Sequence, residues 1–136
     1  MKEGRKGMLD HIGIGVSNLD RSRIFYDAAL EPIGITLLWQ VPPEQTESGG
    51  TALGYGSRGR PYFWVGEMAH PSEGTHVAFL VGSRAEVHAF HAAATAAGGR
   101  DNGAPGPRPH YHPNYYGAFV LDPDGVNVEA VCHEPE

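Results

Sequence analysis

The sequence predicts an α+β fold made of two tandem βαβββ modules. Three observations carry this. Laid on itself at an offset of 65 residues, the chain aligns His11 with His76, Val16 with Val81, Asn18 with Ser83, Phe25 with Phe90 and Gly34 with Gly99. Each half then reads as a strand, a helix and three strands, and a repeated unit of this size constrains architecture more than any single motif. A tight-turn signature, Asp122-Pro123-Asp124-Gly125, sets the last two strands of the second half against each other as a hairpin.

In chain order, Leu9 to Val16 reads as a first strand with Ile12, Ile14 and Val16 on one face and His11, Gly13 and Gly15 on the other. The partial Gly13-Ile14-Gly15 run lacks the third glycine and the strand-to-helix context of a dinucleotide fingerprint. Ser17 or Asn18 caps a helix reaching Leu30, and Pro32 and Gly34 end it. Strands follow at Ile35 to Val41, Thr51 to Gly56 and Tyr62 to Met68, separated by polar and Gly-rich loops. The second half opens with a strand from Thr75 to Val81, placing Val77, Phe79 and Val81 inward and His76, Ala78 and Leu80 opposite. Ser83 and Glu86 form a capping box for a helix that Gly98-Gly99 stops. The Gly/Pro-rich segment from Arg100 to Asn114 predicts one short strand and a long loop over a cavity mouth, ahead of strands at Tyr115 to Asp122 and Asn127 to His133.

Composition narrows the function. With 136 residues, the chain makes one domain over residues 8–133, in modules 8–70 and 74–133, behind a short leader at 1–7. Ten basic against 16 acidic residues give a net charge of -6 with no Lys/Arg patch, which argues against nucleic acid. No apolar run suits a membrane span, and the lone Cys132 rules out an internal disulfide, so a cytoplasmic protein is expected.

The residues with chemical content gather near the end. Alternation puts Glu129 in mid-strand, away from Val128, Ala130 and Cys132, and a carboxylate there needs a partner if it is buried. Its counterpart in the first half, at the same offset, is Trp64, so the repeat marks four equivalent positions: His11, His76, Trp64 and Glu129. Tyr62, Trp64 and Met68 share a strand face and, with Tyr116, are candidates for lining a substrate pocket. His110, Tyr111, His112 and Tyr115 lie upstream of Glu129 and are candidates for acid/base work. Which of them acts is left open, and His88 and His91 read as surface residues on the second helix.

The duplication, beginning Leu-Asp-His-Ile-Gly-Ile-Gly-Val and ending Asp-Pro-Asp-Gly-Val-Asn-Val-Glu, resembles the vicinal oxygen chelate superfamily of glyoxalases, bleomycin resistance proteins and extradiol dioxygenases. The resemblance implies curved mixed sheets around a central cavity, and a divalent metal (Fe, Mn, Ni, Co or Zn) held by His11, His76 and Glu129. It also implies a homodimer and a small organic substrate chelating the metal through vicinal oxygens. Trp64 stands where four-ligand members carry a further ligand, which favours ring cleavage or another three-ligand lyase or oxygenase reaction over a classical glyoxalase I. The alternative is a metal-free small-molecule binding protein of the bleomycin-resistance kind.

Overall fold

The structure, a computed structural model, describes residues 9–68 and 70–135, so the proposed leader lies outside the described residues. The first module contains β1 (Ile12–Val16), α1 (Leu19–Leu30), β2 (Thr36–Val41), β3 (Ala52–Ser57) and β4 (Arg60–Glu67). The second contains β5 (His76–Val81), α2 (Arg84–Ala96), β6 (Arg100–Pro107), β7 (Tyr116–Leu121) and β8 (Asn127–Cys132). Each module forms a four-stranded mixed sheet, in the orders β1-β4-β3-β2 and β5-β8-β7-β6, with one parallel pair apiece. Register repeats as well as topology. Gly13 pairs with Trp64 in the first sheet and Ala78 with Glu129 in the second, both displaced by the same 65 residues.

The two helices pack on each other between the sheets' apolar faces. Phe25, Tyr26, Val87 and Phe90 come from the helices and Ile14, Val65, Val81, Val120 and Cys132 from the strands, and all are buried. An aromatic chain joins the modules: Tyr26 meets Phe63 at 5.2 Å between ring centroids, and Phe63 meets Phe79 edge-on at 5.2 Å. The caps form where expected. Asn18 accepts the Arg21 N–H at 3.0 Å, and Ser83 accepts the Glu86 N–H at 3.2 Å while the Glu86 carboxylate accepts from Gly82 N.

One expectation is corrected. The segment from Arg100 is no long loop: it runs as an eight-residue strand to Pro107, paired with β7 through two register shifts. Its prolines are tolerated because β6 is a sheet edge, where a missing N–H leaves no ladder bond unmade and bulges absorb the misfit. The irregular connection shrinks to residues 108–115.

The turn after β7 anchors the modules to each other. Asp122, 4% exposed, accepts from Asp124 N and Val126 N through one oxygen, at 2.8 and 2.9 Å. Its other oxygen accepts the Tyr26 hydroxyl at 2.6 Å. Beside it, Asp124 accepts the Ser17 hydroxyl at 2.6 Å. Just past α2, Gly99 sits where an added Cβ would lie 2.5 Å from both Phe25 and Val120. Gly99→Ala is therefore expected to lose about 1–3 kcal/mol by overpacking, read as a lower denaturation midpoint with an unchanged slope.

Candidate functional site

Glu129 is the buried charge the sequence flagged, and its side chain is 1% exposed. Its position follows from the strands around it. The carboxylate lies between the start of β5 and the residue preceding β7, and each supplies a partner. His76 Nε2 lies 2.8 Å from Glu129 Oε1, and the Tyr115 hydroxyl donates to Oε2. Burial first, then the bond to Glu129, raises the Tyr115 phenol well above its ordinary pKa, so it remains a protonated donor. Room for this cluster comes from Gly117. A Cβ there would stand 3.0 Å from Glu129 Oε2 and 3.2 Å from the Tyr115 ring. Sequence reasoning missed Gly117, although a glycine inside a strand is itself a sign that something packs closely against the backbone.

The first module arranges the equivalent positions differently. His11 is exposed at the start of β1, with Nδ1 2.7 Å from Asp10 Oδ2, while Arg60 binds the other oxygen of the same carboxylate. The His11 bond first, then Arg60, holds the Asp10 carboxyl below its usual range. His11 borders two recesses. One, about 480 Å³, is lined also by Asp10, Arg60, Tyr62, His76 and Phe79; the other, about 520 Å³, by Asp10, Gly13, Ala52, Pro61 and Trp64. The Trp64 indole lies across Gly54, where a Cβ would meet its ring at 2.8 Å.

The structure thus brings His76, Glu129 and Tyr115 together, while His11, on the same recess as His76, is bonded to Asp10 instead. Among the described residues, no three His, Cys, Asp or Glu side chains gather closely enough to hold a metal ion. His76 and Glu129 do fit two positions of such a site: the imidazole nitrogen of a half-exposed His76 faces a buried carboxylate oxygen beside the room that Gly117 keeps open. Tyr62 lines the first recess and Trp64 the second. Met68 lines neither. It lies beyond the end of β4, 44% exposed, against Gly15. Tyr116 is also turned to other use: its hydroxyl meets His88 Nε2 at 2.6 Å and its ring lies 4.5 Å from the Arg84 guanidinium, which fastens β7 to α2.

His110, Tyr111 and His112 occupy the exposed turn before Tyr115. They contribute rings rather than bonds to Glu129. Tyr111 packs edge-on against Tyr115 at 5.1 Å, and His112 and Tyr115 both approach His133, at 5.4 and 5.3 Å. The turn stands beside Tyr115, and the lining of the two recesses comes instead from β1, β3, β4, β5 and their flanks.

The family model that matches this chain, over residues 8–130, is the Glyoxalase/Bleomycin resistance protein/Dioxygenase superfamily. The chain belongs to that superfamily. Among solved structures, a glyoxalase/bleomycin resistance protein from Albidiferax ferrireducens T118 is 30% identical with a TM-score of 0.75, over 93% of this chain and 99% of that one. Glyoxalase I from Zea mays is 25% identical with a TM-score of 0.67, over 92% of this chain but 46% of the maize chain, so this superfamily member spans about half the maize protein's length. A glyoxalase/bleomycin resistance protein/dioxygenase family enzyme from Burkholderia phytofirmans PsJN shares the fold at 16% identity and a TM-score of 0.66, over 94% of this chain and all of that one. No curated protein matches the sequence significantly. The described helices are too short and polar to cross a membrane.

Proposed function

We propose that this protein is a metal-dependent lyase or oxygenase acting on a small organic molecule that presents two adjacent oxygens. The carrying observation is the buried Glu129 carboxylate, met on one oxygen by His76 and on the other by Tyr115. A charge placed at 1% exposure in mid-strand is costly unless paired, and this one faces an imidazole nitrogen across 2.8 Å. His76 Nε2 and Glu129 Oε1 would hold a divalent ion, with His11 as third donor and other positions open to substrate. When bound, such an ion acts as a Lewis acid toward substrate oxygens. Tyr115 keeps the second carboxylate oxygen hydrogen-bonded and so fixes the carboxylate plane. Trp64 and Tyr62 offer aromatic surface to the organic part of the substrate. Because Trp64 occupies the position equivalent to Glu129, this chain lacks there the second carboxylate that a glyoxalase I proton transfer would use.

That His11 does not cluster with the His76–Glu129 pair among the described residues supports a homodimer. A first module contributed by a second copy would complete the donor set, and β1 and β5, each at one edge of its sheet, offer edges for such pairing. A second reading, metal-free capture of a flat ligand, is favoured by one feature: the recess beside Trp64, whose indole packs closely on Gly54.

Metal content and sedimentation velocity test the first reading together. The parent is expected to sediment as a dimer and to bind Mn, Fe, Co, Ni or Zn with micromolar affinity or better, with His76→Ala losing that affinity and keeping the dimer. A parent that binds none of these ions, yet shows Trp fluorescence quenched by flat aromatic ligands, would promote the binding-protein reading in its place.

A further inference from the structure

We propose that Asp10 is a positioning residue that fixes the tautomer of His11, keeping the proton on Nδ1 and leaving Nε2 as the nitrogen with a free lone pair; this rests on the metal-site reading above. A carboxylate only accepts hydrogen bonds, so the 2.7 Å contact between Asp10 Oδ2 and His11 Nδ1 requires the imidazole to donate from Nδ1. In free neutral histidine the Nε2–H tautomer predominates, so the contact reverses the default. Arg60, at the start of the neighbouring β4, binds the other oxygen of Asp10 and aims the carboxylate at the ring. That second anchor matters because Asp10 and His11 are both largely exposed, where an isolated ion pair holds its geometry weakly.

The repeat strengthens the assignment. Asp10 corresponds to Thr75, which carries no charge, while His76 takes its carboxylate from Glu129; His11 finds Trp64 at the equivalent of Glu129 and takes its carboxylate from Asp10. Each histidine therefore has one carboxylate, delivered from a different place. A carboxylate on the far nitrogen of a histidine orients the ring and raises the basicity of the near one, and losing such a partner typically costs tenfold to a hundredfold in metal affinity.

Two-bond nitrogen–proton NMR of the imidazoles in metal-free protein, at about pH 8.5, well above the reference imidazole pKa of about 6.5, reads the tautomer directly. The parent should show His11 as Nδ1–H, Asp10→Ala should shift it to mainly Nε2–H, and Asp10→Asn, whose side-chain oxygen still accepts, should retain the parental form. Zn2+ affinity should fall about tenfold to a hundredfold in Asp10→Ala and recover in Asp10→Asn. A parent already in the Nε2–H form, or an Asp10→Ala protein with the parental tautomer or Zn2+ affinity, overturns the proposal. Constant Zn2+ affinity in His76→Ala as well identifies the metal centre, rather than the Asp10 contact, as the failing premise.

Discussion

Glu129→Gln is expected to fold and to lose more than about a hundredfold in divalent-metal affinity. Glutamine keeps the shape of the side chain, and its carbonyl can still accept from Tyr115 or from His76. What disappears is the anionic oxygen. Loss of a hydrogen-bond partner to a ligand already costs tenfold to a hundredfold, and loss of the ligand's own charge should exceed that. Competition with a chromogenic chelator measures the affinity. Thermal denaturation gives the independent reading, since a ligand that binds only the native state raises its stability in proportion to the logarithm of concentration over Kd. Saturating metal should raise the parent's Tm and leave that of Glu129→Gln unmoved. Equal affinity in the two proteins would remove Glu129 from the metal site and leave its burial to be explained by Tyr115 and His76 alone.

The largest stability effect is expected at a distance from that centre. Asp122→Ala should cost about 3–4 kcal/mol, because three donors, two of them buried, lose their acceptor at once. Two are the N–H groups of Asp124 and Val126, which shape the β7–β8 turn, and the third is the Tyr26 hydroxyl reaching across from α1. Tyr26→Phe removes only the last of these and should cost about 1–2 kcal/mol. The double variant should be less destabilised than the sum, since the two side chains share one bond. Additive losses in a denaturation cycle would mean that the two residues act separately and that the modules are held together by apolar packing.

Much of this was open to reading in the sequence, for a physical reason. Strand alternation, helix caps and turn chemistry are local, and the repeat carries local patterns across 65 residues. Thus β5, α2, the Asp122–Gly125 turn and the need of Glu129 for partners could all be argued before any coordinates. Partner choice could not. Tyr115, 14 positions upstream of Glu129, and Asp122, 96 positions from Tyr26, meet their partners only because the sheets fold as they do. Tyr116 illustrates the hazard: beside Tyr115 in sequence and sharing its chemistry, it is carried by strand alternation to the opposite side, against α2. The full length of the edge strand β6 was hidden by composition, because glycine and proline argue against regular structure unless the strand's place in the sheet is known.

The shared register of the two sheets has a consequence for how this chain can change over generations. Duplicated halves with the same backbone usually invite the view that each position has a spare. Here the equivalent positions differ in opposite ways: Trp64 stands in one half where Glu129 stands in the other, while Asp10 supplies an acid that Thr75 does not. The halves have become complementary specialists. Equivalent positions therefore do not stand in for each other, and variation at 64 and at 129 should have unequal consequences: the first falls on a recess wall and the second on a buried, doubly bonded carboxylate.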